Sequence, residues 1–308
     1  MIGPNFIVVG AARSGTTALH HWLGQHPEIF VSPIKETNYF AKEHVRFCGP
    51  LDPESLRLPV VYNPDGAYEK RRAAIVKDKK TYFSLFKQGA AFKARGETSP
   101  SYLYYRDTVQ KIFKIIPACK IIILLREPVA RTISNYNALR GGREKLSFRK
   151  ALDKENERIS AGWDHIWAYK GLSLYYEQVK QYLDVFPKEQ VGIWLYRDLK
   201  MNAKVVYSEI CKFLGVDSTF VPNFTRDNES HNIYTPLLLQ KTAKFLPLEL
   251  VVRLRPFVHR NFSKSIIIKT EKNQLKEFFR DDVLALDMLL PKMNLLEKWN
   301  YPLSKQNN

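Results

Sequence analysis

A three-layer α/β fold, a mostly parallel sheet between layers of helices, is what this 308-residue sequence predicts. Strand-like and helix-like segments alternate along most of the chain. The segment "CKIIILLRE" at 119–127 is continuously apolar in its middle, as a strand buried on both faces should be. From residue 5, "NFIVVGAARSGTTAL" runs from a strand through a glycine-bearing loop into a helix. In such sheets ligands bind beyond the carboxyl ends of the strands.

Taken in order, strands are expected over 5–10, 28–32, 92–97, 119–127 and 190–199. A helix is expected over about 16–25 after the first strand, and another after the fourth. The amphipathic run "SLYYEQVKQYLDVF" leads as a helix into the fifth strand, and the chain from about 200 reads as mostly helical. The stretches 41–91, 137–170 and 226–270 lack a clear period. They read as insertions and as candidates for acceptor-binding segments or lids. No repeat or linker divides the chain, so one domain over 1–308 is expected.

Composition narrows the function classes. Hydrophobic residues make up 45%, enough for a substantial core and too many for a disordered chain. The net charge of +17 favours anionic partners such as nucleotides, sulfated or phosphorylated sugars, nucleic acid or acidic lipid. Cys48, Cys119 and Cys211 lie far apart, without metal-ligand spacing, so neither a disulfide framework nor a zinc site is expected. The first strand begins close to Met1, which leaves no room for a signal peptide, and no apolar run is long enough to span a bilayer. With Met1 as the native start, a cytoplasmic protein is expected. The sequence carries no oligomerisation signal.

The loop reads G-x-x-x-x-G-T-T from Gly10 to Thr17. Its glycines let backbone wrap a phosphate, and the amides from Ser14 to Ala18 at a helix N-terminus then face the anion. The ATP-binding version of such a loop needs a lysine after the second glycine and a magnesium-holding aspartate at the end of a neighbouring strand. Here Thr16 stands at the lysine position, and the neighbouring strand runs into Arg126. Arginine there repels a cation and attracts a second phosphate. The loop's own positive charge is Arg13. A nucleotide with two separated phosphates, bound without metal, satisfies this pattern.

"GAARSGTTAL" resembles the phosphosulfate loop of PAPS-dependent sulfotransferases, PAPS being 3′-phosphoadenosine 5′-phosphosulfate. "KIIILLREPVARTISNYNAL" at 120–139 resembles the same family's 3′-phosphate motif. The resemblance implies a P-loop-like three-layer fold and PAPS as cosubstrate, released as its bisphosphate PAP, with no metal. It assigns the 5′-phosphosulfate to Arg13, Ser14, Gly15, Thr16, Thr17 and Ala18, and the 3′-phosphate to Arg126 and Ser134. Pro128 suits a first helical position. Arg131 is a weaker candidate, because an arginine on such a helix is commonly solvated or ion-paired. "GETSPSYLYY" at 96–105 and "GLSLYYEQVKQYLDVFPKEQVGIWLYRDL" at 171–199 extend the likeness over nearly the whole chain, less specifically.

Sulfuryl transfer needs a base near the acceptor and positive charge on the sulfate. "SPIKETNYFA" at 32–41 resembles the KE-x-x-[FY]F segment of bacterial, carbohydrate and tyrosyl-protein sulfotransferases. By that resemblance Glu36 is the catalytic base, and Lys35 neutralises sulfate or sets the acidity of Glu36. His20 and His21, one turn past the loop, are further base candidates, and His26 reads as structural. Thr98 stands where some heparan-type relatives carry a lysine, which weakens acceptor analogies to that branch. The expected acceptor is a small molecule or glycan hydroxyl, or less readily an amine, with no specific nucleic acid partner. The rival readings are a P-loop kinase or NTPase, and a non-catalytic nucleotide- or polyanion-binding protein.

Overall fold

A computed structural model of the chain describes residues 2–46, 71–73, 75–140, 143–224 and 267–302. Its main sheet has five strands: β1 (Phe6–Gly10), β2 (Ile29–Val31), β5 (Ala94–Thr98), β6 (Lys120–Leu125) and β7 (Val191–Leu195). Their order is β2-β5-β1-β6-β7, and every pairing is parallel. The chain leaves β1 for one side of the sheet and later returns to the other, so β1 sits at the switch point where a crevice opens. A separate pair, β3 (Ile34–Glu36) and β4 (Arg71–Ala73), is also parallel.

The period of two along the central strands builds both cores. In β1, Ile7 and Val9 enter one core while Phe6 and Val8 enter the other. In β6, Ile121, Ile123 and Leu125 face the first side, and Ile122 and Leu124 the second. Each such side chain, fully removed from water, contributes about 1.5–3 kcal/mol. The first face is covered by α3 (Asp107–Ile115), α4 (Pro128–Leu139), α7 (Tyr175–Val185) and α10 (Lys269–Leu289). The second is covered by α1 (Thr16–Leu23) and α9 (Ala203–Leu214), through Leu19, Trp22, Val206 and Ile210. The expected three-layer arrangement is therefore the one observed.

Several boundaries differ from expectation. The fifth strand stops at Leu195, and residues 196–201 form the helix α8 (Tyr196–Met201). Val191, Ile193, Leu195 and Leu199 fall on a period of two, which mimics a longer strand. The stretch 41–91 contains β4 and the helix α2 (Lys79–Ser84), capped by the Asp78 carboxylate. The stretch 137–170 completes α4 and adds α5 (Phe148–Asp153) and α6 (Glu155–Ser160). Both helices are short; α5 is anchored by its buried Phe148 against Tyr136, ring centroids 5.1 Å apart, and α6 by tertiary bonds, Arg158 pairing with the buried Glu144 and Glu155 accepting the amides of Lys170 and Gly171. Of the stretch 226–270, residues 226–266 lie outside the described residues. The short α11 (Leu295–Lys298) follows α10.

Helix α7 has no side-chain cap of its own. Instead the Asp282 carboxylate of α10 accepts the Tyr175 and Tyr176 amides, at 2.7 and 3.1 Å. Burial nevertheless pushes the Asp282 carboxyl up to about 6, against the pull of those two amides. A carboxyl raised on folding binds its proton more tightly in the folded chain. Its ionisation therefore removes stability as pH rises from about 4 to 6, by up to about 3 kcal/mol. Asp282→Asn cannot ionise. Its melting temperature relative to wild type is expected to climb between pH 4 and pH 6.5 in thermal melts. A flat difference would place the Asp282 titration elsewhere.

Candidate active site

The loop between β1 and α1 sits at the carboxyl edge of the sheet. Ala11 donates its amide to the Leu124 carbonyl at 2.7 Å, tying the loop to β6. Gly15 takes a positive φ of 88°, and a Cβ there would lie 2.9 Å from the Tyr196 ring. Only glycine meets both demands. Gly15 is also the N-cap of α1, so no side chain caps that helix, and no acidic residue lies in its first turn. The amides of residues 16–18 therefore lack the partners that a capped helix would supply. Helix α4 is the contrast: the Glu127 carboxylate accepts the amides of Val129 and Ala130, at 3.0 and 2.6 Å. Pro128 opens it at the first helical position, as the sequence implies.

Three arginines converge beside the loop. Arg126 donates through Nη1 to the Arg13 carbonyl at 2.9 Å, and its guanidinium lies 4.9 Å from the Tyr196 ring centroid. The Arg13 side chain donates through Nε to the Ser134 hydroxyl at 3.3 Å. The positions assigned to two separate anions, Arg13 and the Arg126–Ser134 pair, thus meet in one cluster. Arg131 is neither solvated nor ion-paired among the described residues, contrary to the sequence reading. It is fully buried, donating to the Ser173 hydroxyl and the Tyr169 carbonyl, with its Nη1 unpartnered. Burial pushes its guanidinium down to about 10; Tyr175 and Glu155 oppose that, and the Arg13 and Arg126 charges add to it.

A buried cation without an ionic partner is costly, and an anion brought to the site relieves that cost. Glu155 does not supply it, because both its oxygens are taken by backbone amides at 2.8 Å. The Ser14 hydroxyl is likewise buried with no hydrogen bond made. The Tyr175 phenol lies beside it but donates to the Arg126 carbonyl at 3.0 Å. Thr16, at the position of the ATP loop's lysine, is buried.

On the other flank of the loop lies the carboxyl end of β5, and β3 packs against it. Glu36 ends β3 rather than following the strand at 28–32, as expected from sequence. Lys35 Nζ stands 2.5 Å from Glu36 Oε1, with side-chain exposures of 6% and 31%. The pair is therefore half-sunk: a buried ammonium against a carboxylate that still reaches solvent. Beyond Glu36, Asn38 donates its amide to the Ser99 hydroxyl at 3.2 Å, which fastens the segment to the end of β5.

Glu97, which sequence reasoning passed over, is fully buried at that end. Hydroxyls of Thr37, Ser99, Tyr82 and Tyr102 all contact its carboxylate. A glutamate inside a strand-like run, followed by Ser99 and Tyr102, is the signal that was available. His20 is buried and shares a 3.1 Å hydrogen bond with the Thr98 hydroxyl, while His21 is exposed. His26 is held at both ring nitrogens, by the Glu28 amide and the Asp217 carbonyl, and is structural. Among the described residues no three His, Cys, Asp or Glu side chains gather to hold a metal. Among them, too, no helix is long and apolar enough to cross a membrane.

Comparison with known proteins is consistent along the chain. A crystal structure of a sulfotransferase from Alicyclobacillus acidocaldarius is 37% identical, with a TM-score of 0.65 over 85% of this chain and 98% of that one. The membrane-associated sulfotransferase kil1 of Dictyostelium discoideum is 24% identical, over 70% of this chain and 56% of that protein. Human heparan sulfate glucosamine 3-O-sulfotransferase 5 is 25% identical, over 62% of this chain and 47% of its own length. The chain thus spans about half the length of these two curated relatives. The sequence profile of the sulfotransferase family matches residues 4–220, and with the parallel sheet, the loop and Arg126 in place the chain belongs to that family.

Proposed function

We propose that the protein transfers the sulfuryl group of PAPS to a hydroxyl of a saccharide-type acceptor, with residues 1–308 acting as one catalytic domain. The observation that carries this reading is the pairing of two anion-ready sites: the uncapped start of α1, and an arginine cluster whose Arg126 and Arg131 have no carboxylate partner among the described residues. The unsatisfied Ser14 Oγ and Arg131 Nη1 fit a bound polyanion. In this reading the amides of residues 15–18, the Ser14 hydroxyl (its amide being taken by the Ala11 carbonyl) and Arg13 hold the phosphosulfate, and Arg126 with Ser134 holds the 3′-phosphate. Glu36 takes the acceptor proton, and Lys35 keeps that carboxylate in place.

In the reaction the acceptor oxygen bonds to sulfur as the bond from sulfur to the bridging phosphate oxygen breaks. The proton goes to the Glu36 carboxylate, and the electron pair leaves with the nucleotide phosphate. Loop amides and arginines act where negative charge develops on that phosphate. A glycan acceptor is supported by a relative named for heparan sulfate glucosamine and by the net charge of +17.

The test is transfer of label from [35S]PAPS to a panel holding a heparan-type oligosaccharide, a neutral glycolipid and p-nitrophenol. Oxygen-linked label on a saccharide is expected. Label confined to the phenol or to an amine would overturn the acceptor class.

A further inference from the structure

The Glu97 carboxylate accepts from Thr37 and Ser99 at Oε2, the latter at 2.8 Å. It accepts from Tyr82 and Tyr102 at Oε1, at 2.8 and 3.0 Å. A carboxylate only accepts, and all four hydroxyls are placed to donate to it, while Thr37 and Tyr102 also share a 3.1 Å hydroxyl contact that links two of the donors. Their lone pairs are then turned outward. Burial pushes the Glu97 carboxyl up, and the four hydroxyls pull against that. The two phenols are themselves pushed well up by burial, so they keep their protons to donate.

Those outward lone pairs are used. Ser99 Oγ takes the Asn38 amide at 3.2 Å, and the Tyr102 hydroxyl takes the Phe40 amide at 3.3 Å. Thr37 Oγ1 has a longer contact of 3.5 Å with the Tyr39 amide. Three successive amides after Glu36 are thus hung from one buried carboxylate, each through a single hydroxyl. The segment's own conformation needs such support, because Asn38 sits at a positive φ of 49°.

We propose that Glu97 is a positioning residue for Glu36: by orienting four hydroxyls it fixes residues 37–40, and so the direction in which β3 delivers the Glu36 carboxylate. The proposal rests on the reading of Glu36 as the base. It gives Glu97 no contact with substrate and no proton to transfer. Glu97→Gln has nearly the same shape but puts an NH₂ against two hydroxyl donors. One pair must then turn round and accept from it, and the protons so displaced compete with the backbone amides of the segment.

Two readouts on the full chain test this. In Glu97→Gln, hydrogen exchange at the amides of 38–40 is expected to quicken at least about tenfold, with PAP affinity within about twofold of wild type. Turnover per folded enzyme is expected to fall at least about tenfold with KM for PAPS unchanged, and to fall no further in the Glu36→Gln background. Ser99→Ala, which removes the Asn38 acceptor and one of the four donors to Glu97, is the milder second variant. It should show the same split, with a loss of about three- to tenfold.

Unchanged exchange at 38–40 would overturn the proposal. So would an equal loss of turnover in the Glu36→Gln background, which marks an independent role. Should Glu36→Gln turn over like wild type, the base assignment fails and this proposal with it. The exchange result then still separates that failure from a failure of the hydroxyl array.

Discussion

Glu36→Gln is expected to lower sulfate transfer by about 10²–10⁴-fold while PAP affinity stays within about twofold of wild type. The split follows from where Glu36 sits. It ends β3 on the β5 side of the loop, whereas the arginine cluster lies on the β6 side. Loss of the carboxylate removes the proton acceptor without touching Arg13, Arg126 or Ser134. Glutamine is the informative replacement because Lys35 is buried against this carboxylate. Alanine would leave that ammonium without any oxygen, and an uncompensated buried charge costs about 3–5 kcal/mol. A fall in stability could then pass for a fall in catalysis. Rates of [35S]PAPS turnover, beside calorimetric PAP binding on the same preparation, separate the two.

Arg126→Ala is expected to weaken PAP binding about 100-fold, as loss of a charged hydrogen-bonding group does at about 1.4 kcal/mol per tenfold. Binding of 5′-AMP, which lacks the 3′-phosphate, should fall much less. The preference of the wild type for PAP over 5′-AMP is therefore expected to collapse in the variant. Arg126→Lys should recover only part of it. A lysine keeps the charge but not the planar fork that reaches the Arg13 carbonyl while lying over the Tyr196 ring. Equal losses for both nucleotides would mean that Arg126 holds the loop together rather than reading the 3′-phosphate.

What could be read from the sequence was what local pattern encodes. The apolar runs of β1 and β6 gave the centre of the sheet, and the loop's glycines gave its position beside Arg126. Strand β3 could not be seen, because it is three residues long and its partner β4 lies 35 or more residues away in a charged stretch. Pairing at that range leaves no periodic trace. Tyr196 was read as strand for the opposite reason: Ile193, Leu195 and Leu199 carry a period of two past it, whereas in the structure it opens α8, packed under Arg126 and beside Gly15.

The site divides the same way. Arg13, Arg126 and Ser134 could be named from spacing. Burial could not, and burial is what distinguishes Arg131 and Glu97 from the many arginines and glutamates of this chain. An arginine on a helix reads as solvated until Ser173 and Tyr169 are folded over it. A glutamate in a strand reads as a surface residue until Thr37, Tyr82, Ser99 and Tyr102 close around it.

The claim that this loop serves sulfuryl rather than phosphoryl transfer is tested most directly by calorimetric titration of the wild-type protein with PAP beside ATP–Mg²⁺. Tight, magnesium-independent binding of PAP, with ATP–Mg²⁺ at least about 100-fold weaker, is the expected result. Equal or tighter binding of ATP–Mg²⁺, or a PAP affinity that Arg126→Ala leaves unchanged, would contradict it.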